Sequence, residues 1–253
     1  MDPDPALLAP LLAAPERSAV LVDFDGTLAP IVTDNAAARP LRGAAEVLLG
    51  LRERFAEVAV VSGRPVAYLA AHLPTEVDLS GLYGLEQRRD GVVVEHPQAA
   101  GWRQRIHALA TAAAAELPPG VEVEDKGLSL TLHLRRHPEL QEAAARWVGA
   151  AAAPAGVDVR SAKRSFELHP PVAVDKGTVV DDLTAGCRAA CYLGDDVGDL
   201  AAFDGLDRLV ARGGAAVRVA VVTDETAAAL VARADVTVEG PEGALALLRS
   251  LLR

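Results

Sequence analysis

The chain has 253 residues, room for one large α/β domain or for a core with a smaller companion. Hydrophobic residues make up 51% of it but aromatics only 4%, so alanine, valine and leucine must build the core, which suits thin helices laid on a sheet. A formal net charge of −10 with no basic run argues against nucleic acid as a partner, and no apolar run reaches the roughly 18 residues of a membrane span.

The opening segment, MDPDPALLAPLLAA, carries aspartates and prolines and has no positive region ahead of its apolar run. It reads as a lead-in segment and not as a signal peptide. Ala19-Val20-Leu21-Val22 is a short apolar run that stops at Asp23, the pattern of a buried parallel strand ending at a functional edge. A helical pattern follows over 41–55, with Val47, Leu48 and Leu51 on its apolar side. A second buried strand, Val58-Ala59-Val60-Val61, ends at Ser62-Gly63-Arg64-Pro65, and Pro65 fits the first turn of another helix. Strand, helix, strand, helix is the mark of a doubly wound sheet.

The period changes near Trp102. Residues 102–117 read as one helix, followed by strands at 121–124 and 128–135. In the second, Leu128, Leu130, Leu132 and Leu134 alternate with Ser129, Thr131, His133 and Arg135, so one face packs and the other is open to water or ligand. A helix over 138–152 and short strands at 157–159 and 165–168 repeat the motif, making residues 101–170 an inserted α/β unit. From Asp175 the first pattern resumes, with a helix over 176–185, a strand at 189–193 and further alternation to the end. Cys187 and Cys191 give no disulfide framework and suit buried thiols of a cytoplasmic protein.

Four polar clusters fall at strand ends or helix starts, where ligands bind in an open α/β sheet. In Asp23-Phe24-Asp25-Gly26-Thr27, two carboxylates one residue apart act on one phosphorus if the backbone turns sharply, which Gly26 permits. Asp23 would attack to form an aspartyl-phosphate, and Asp25 would protonate the leaving alcohol and then deprotonate water. Thr27 offers a hydroxyl and an N–H to a phosphate oxygen. Ser62-Gly63-Arg64 suits a phosphate oxygen at a helix start, though Ser-Gly is equally an ordinary turn. Lys176, in Asp175-Lys176-Gly177, opposes a helix dipole unless an anion lies near; it would neutralise Asp23 and the phosphate. Gly194-Asp195-Asp196-Val197-Gly198-Asp199 crowds three carboxylates that call for a cation. Magnesium fits, with Asp195, Asp23 and the Asp25 carbonyl as ligands and Asp196 and Asp199 behind them orienting water and Lys176. The six histidines are scattered, which gives zinc no support.

Taken in order, Asp23-x-Asp25, Ser62, Lys176 and Asp195-Asp196 resemble the four motifs of the haloacid dehalogenase superfamily, and the aspartate two positions after the nucleophile points to its phosphatases. Gly81-Leu82-Tyr83-Gly84-Leu85-Glu86, the stretch from Val123 to Arg135, and Glu167-Leu168-His169-Pro170-Pro171 are similar to segments of the trehalose-6-phosphate phosphatase family. The resemblance implies that Glu124 and Lys126 meet sugar hydroxyls, with His133 and Glu167 nearby. It departs from the family at Tyr83, where histidine is usual, and at Gly198 and Leu200, where threonine and glutamate are usual. The expected fold is α/β: a doubly wound, parallel-sheet, Rossmann-like haloacid dehalogenase core (1–100 and 171–253) with an inserted smaller α/β cap (101–170) that sets specificity. The implied reaction is magnesium-dependent hydrolysis of trehalose 6-phosphate in the cytoplasm, coupled functionally to a trehalose-6-phosphate synthase-like enzyme. A trehalose-like pseudo-disaccharide phosphate or other sugar phosphate as substrate, and a sugar-phosphate-binding relative without turnover, are the alternatives.

Overall fold

The short apolar runs become strands, and the periodic segments between them become the helices that cover the sheet. The computed structural model describes residues 5–162, 164–224 and 226–253. In chain order it begins with α1 (Pro5–Ala13), β1 (Ser18–Val22), α2 (Ala44–Arg54), β2 (Glu57–Val61), α3 (Val66–Ala70), β3 (Asp78–Gly81), β4 (Glu86–Arg89) and β5 (Val92–Glu95). Next come α4 (Arg103–Glu116), β6 (Glu122–Asp125), β7 (Leu130–His133), α5 (Gln141–Ala155), β8 (Asp158–Ala162) and β9 (Ser165–His169). The chain closes with α6 (Lys176–Leu183), β10 (Ala189–Gly194), α7 (Leu200–Ala211), β11 (Ala215–Val222), α8 (Ala228–Arg233), β12 (Val236–Glu239) and α9 (Gly240–Ser250). Two compact units result: residues up to Val94 together with Val174–Arg253, and Glu95–Ala173.

The first unit holds an eight-stranded sheet in the order β12-β11-β10-β1-β2-β3-β4-β5. From β12 through β3 every neighbouring pair is parallel, and β4 runs antiparallel to β3. Alternate strand residues feed two cores. Val20, Val22, Val58, Val60, Cys191 and Leu193 face α1, α2, α3 and α9. Ala19, Leu21, Ala59, Val61 and Tyr192 face α6, α7 and Leu230 of α8. Burial on both faces is why these strands carry no polar alternation. From β1 the chain builds outward to β2 and β3 on one side and later to β10, β11 and β12 on the other. That reversal opens a crevice between the carboxyl ends of β1 and β10.

The second unit has its own four-stranded antiparallel sheet, ordered β6-β7-β9-β8. Leu130, Leu132 and Leu134 pack with Phe166 and Leu168 against Ile106 and Ala110 of α4 and Val148 of α5. The leucine alternation therefore marks the packed face. The lead-in segment forms α1 and sends Leu11, fully buried, into the first core. Pro65 precedes α3 as its N-cap instead of entering its first turn. Among the described residues, no helix is long and apolar enough to cross a membrane.

Candidate active site

The Asp23 N–H donates to the Leu193 carbonyl at 2.9 Å, carrying the β1–β10 pairing one residue past the strand and setting Asp23 beside Gly194-Asp195. The chain then folds back on itself. Leu28 and Ala29 N–H groups both reach the Phe24 carbonyl (2.9 and 2.8 Å), and Gly26 takes φ +78°, a left-handed conformation that glycine alone adopts freely. A Cβ on Gly26 would stand 2.1 Å from Asp195 Oδ2, so the Asp195 carboxylate rests directly on the bare turn. Gly26→Ala is therefore expected to displace Asp195 as well as strain the turn. The thermal midpoint should fall; an Ala variant that melts at the wild-type temperature would refute this packing.

Lys176 occupies the first position of α6, which Asp175 caps by accepting the Thr178 N–H at 2.9 Å. Gly177 and Gly205 let α6 and α7 approach closely: a Cβ on Gly177 would meet the Ala201 carbonyl at 2.3 Å. The close crossing brings Lys176 Nζ within 2.8 Å of Asp23 Oδ1 and 2.6 Å of Asp199 Oδ1, all three residues being buried. Asp199 is saturated. Its Oδ1 accepts from Lys176 and from the Tyr192 hydroxyl (2.6 Å each), and its Oδ2 from the N–H groups of Asp195 and Asp196 (2.9 and 3.1 Å). A carboxylate has about four acceptor positions, and all of them are used.

Asp23, Asp195 and Asp199 each offer an oxygen within 4.8 Å of the others. With Asp199 saturated, Asp23 and Asp195 are the groups left to hold a cation. Burial, then Asp23, Asp199 and Asp196, push the Asp195 carboxyl up to about 9. Burial also raises Asp23, against the pull of Lys176. For Lys176, burial works against the charge, but Asp199 and Asp23 outweigh it and raise the ammonium above its ordinary range. One ammonium among these carboxylates leaves excess negative charge that a divalent ion with oxygen ligands would relieve, so the donor set fits such an ion.

Ser62 continues the β2–β3 pairing by donating its N–H to the Ser80 carbonyl at 2.8 Å, and its Oγ accepts from the Arg64 N–H at 3.1 Å. That leaves the Ser62 hydroxyl proton for an acceptor. Arg64 turns to Asp25, with Nε and Nη2 each 2.7 Å from a separate carboxylate oxygen. Thr27 is fully buried, and its Oγ1 has no partner among the described residues. Asp196 is exposed and caps the turn before α7 by accepting the Gly198 N–H at 2.7 Å.

In the second unit, strand register lines Glu124, Thr131, Glu167 and Arg160 in one row across the face opposite the leucines. Lys126 Nζ lies 3.6 Å from Glu167 Oε1, which also accepts the Ser129 hydroxyl at 2.7 Å. His133 Nε2 and Glu124 Oε2 are 2.7 Å apart. The four sugar-side residues expected from sequence thus form two pairs on one polar face.

Residues 21–236 match the family model described as trehalose-phosphatase. The chain belongs to that family. A trehalose-phosphate phosphatase of Mycobacterium avium is 36% identical over 207 residues, covering 76% of this chain and 52% of that protein. A Mycobacterium tuberculosis protein named as an uncharacterized glycosyl hydrolase is 35% identical over 208 residues, 74% of this chain and 15% of its own length. The chain therefore spans about half the length of the one relative and a small part of the other. Among solved structures, the C-terminal domain of C. albicans trehalose-6-phosphate phosphatase aligns with a TM-score of 0.78 at 24% identity, covering 98% of this chain and 96% of that one. The expected haloacid dehalogenase-type fold is borne out. Within the site, sequence reasoning missed Tyr192, which sits in an apolar strand run and reads as core. It also missed Ser129, whose small hydroxyl reads as spacing between leucines.

Proposed function

We propose that this chain is a magnesium-dependent phosphatase that hydrolyses trehalose 6-phosphate through an aspartyl-phosphate on Asp23. The observation that carries this reading is the buried Asp23–Lys176–Asp199 ion triad beside Asp195, at the end of the strand where an open α/β sheet presents ligands. A carboxylate held by one ammonium, at the mouth of a sheet and next to a cation-seeking cluster, is suited to attack an anionic phosphorus. Asp23 and Asp195, with the Asp25 backbone carbonyl, would hold magnesium, which when bound supplies charge neutralisation for the phosphoryl group.

In the first step an Asp23 oxygen forms a bond to phosphorus, the bond from phosphorus to the sugar oxygen breaks, and the Asp25 carboxyl gives its proton to the departing alcohol. In the second, Asp25 takes a proton from water as the water oxygen bonds to phosphorus; the phosphorus–Asp23 bond breaks and phosphate leaves. Lys176 balances the charge of Asp23 and the phosphate throughout. Thr27, Ser62 and Gly63 form the phosphate side, Ser62 through its unspent hydroxyl proton. Asp196 and Asp199 act behind these groups, Asp199 by fixing Lys176 and the Asp195 backbone.

The Glu95–Ala173 unit serves as the specificity cap. Its Glu124–His133 and Lys126–Glu167 pairs supply the mixed donors and acceptors that a disaccharide's hydroxyls require. Lys126→Ala is expected to lower kcat/KM for trehalose 6-phosphate by about 5- to 150-fold, the worth of one charge-assisted hydrogen bond. Hydrolysis of a small aryl phosphate should lose far less. Equal losses on both would remove the cap from the account. Two free thiols, one of them buried, fit a cytoplasmic protein. The substrate, a phosphorylated disaccharide, has to come from glycosyl transfer to a sugar phosphate, which ties the chain functionally to a synthase. A phosphate-release panel over trehalose 6-phosphate, sucrose 6-phosphate, glucose 6-phosphate and glucosylglycerate phosphate tests the substrate directly. Trehalose 6-phosphate should be preferred; a stronger preference for another member would reassign it.

A further inference from the structure

Arg64 is 8% exposed, and its guanidinium grips Asp25 by both carboxylate oxygens. The Asp25 side chain is 37% exposed, so the pair has a buried cationic end and a carboxylate end toward the solvent side. Each element around Arg64 fixes it. Its guanidinium lies 4.6 Å above the Tyr68 ring of α3, and Tyr68 meets Phe24, the residue between the two aspartates, edge-on at 6.0 Å. Its carbonyl accepts the Leu82 N–H at 3.0 Å, and a Cβ on Gly81 would stand 2.7 Å from that carbonyl. Leu82 and Tyr83 both hold positive φ (49° and 58°), a costly conformation for residues with side chains, which persists only where the surroundings impose it. The Tyr83 N–H in turn braces the Ser62 carbonyl at 3.1 Å. A strained turn and a close-packed glycine hold the Arg64 backbone, and a stacked ring holds its side chain.

We propose that Arg64 is a positioning residue that fixes the orientation of the Asp25 carboxyl toward the leaving-group oxygen, rather than a ligand of the phosphate. Two parallel bonds to a planar carboxylate set both its angle and its depth, which a single ammonium does not. This inference rests on the phosphatase reading, in which Asp25 delivers a proton to the sugar oxygen as the phosphorus–oxygen bond breaks. An alkyl leaving group needs that proton. A nitrophenolate does not.

The test compares kcat/KM, which reports the steps up to alcohol release, for glucose 6-phosphate and 4-nitrophenyl phosphate in wild type, Arg64→Met and Arg64→Lys, all with magnesium. Inhibition by inorganic phosphate and the melting temperature are recorded alongside. For Arg64→Met the loss on glucose 6-phosphate should exceed that on 4-nitrophenyl phosphate by about 10- to 100-fold, the scale of a misplaced reacting group. Inhibition by phosphate should stay within about threefold of wild type, a shift below one hydrogen bond's worth. Arg64→Lys, which keeps the charge and stem but one bond only, should fall between wild type and Arg64→Met and stay folded if the Met variant does not. Equal losses on both esters, or weakened phosphate inhibition in step with activity, would make Arg64 a phosphate ligand or a structural residue and overturn the proposal. Wild-type protein that releases phosphate from neither ester nor from trehalose 6-phosphate would overturn the phosphatase reading itself.

Discussion

Asp23→Asn is expected to lower turnover of trehalose 6-phosphate by about 10⁴-fold or more, the scale seen when the nucleophile of a covalent mechanism is removed. The amide keeps the shape of the side chain but cannot attack phosphorus. Folding should survive, because Lys176 still has Asp199 at 2.6 Å and the crowded site loses one negative charge. Melting within a few degrees of wild type, with no burst of alcohol from 4-nitrophenyl phosphate, is the expected pair of observations. Substantial residual turnover would sink Asp23 as nucleophile.

Lys176→Met should be the most damaging substitution in the site for stability as well as for activity. It leaves Asp23 and Asp199 buried without their cation, and breaking a buried pair by removing one partner costs about 3–5 kcal/mol. The pH dependence has a definite sign. Burial raises Asp23 well above its ordinary 3.8 even with Lys176 in place, and removing Lys176 removes the chief opposing influence. A carboxyl raised in the folded state contributes stability that is present below its unfolded value and is lost as pH rises. The variant's deficit should therefore be small near pH 5 and large near pH 8, as read by urea unfolding without divalent cation. A deficit independent of pH would mean that Lys176 acts through packing alone. Added magnesium should stabilise wild type more at the higher pH, since burial and the neighbouring carboxylates push the Asp195 carboxyl up and a cation competes with its proton.

What the sequence made legible was the set of parallel strands and the polar residues at their ends. Stretches buried on both faces, such as Ala19–Val22 and Val58–Val61, read as continuous apolar segments, and their ends at Asp23 and Ser62 are abrupt. Asp195 follows β10 in the same way. The strands β3 to β5 were not legible. Asp78 and Ser80 are polar yet buried within β3, while Val92, Val93 and Val94 of β5 are apolar yet exposed, so pattern and burial run opposite there. Helix α7 was obscured by Gly205, which reads as a breaker but serves the close contact with α6. The pairing of Arg64 with Asp25, 39 residues apart, depends on how β1 and β2 lie side by side. Spacing alone offered a phosphate contact for Arg64; the geometry gives it a carboxylate. Tyr192 was hidden for a related reason, since its ring belongs to the core and only its hydroxyl belongs to the site.

The stereochemical course at phosphorus tests the central claim most directly. A phosphorothioate ester made chiral at phosphorus by sulfur and two oxygen isotopes, turned over with magnesium in water carrying the third isotope, should yield thiophosphate with retained configuration. Attack by Asp23 inverts the centre once, and attack by water on the aspartyl-phosphate inverts it again. Net inversion would mean that water attacks the substrate directly and that Asp23 is not the nucleophile, and absence of any phosphate release would contradict the phosphatase assignment as a whole.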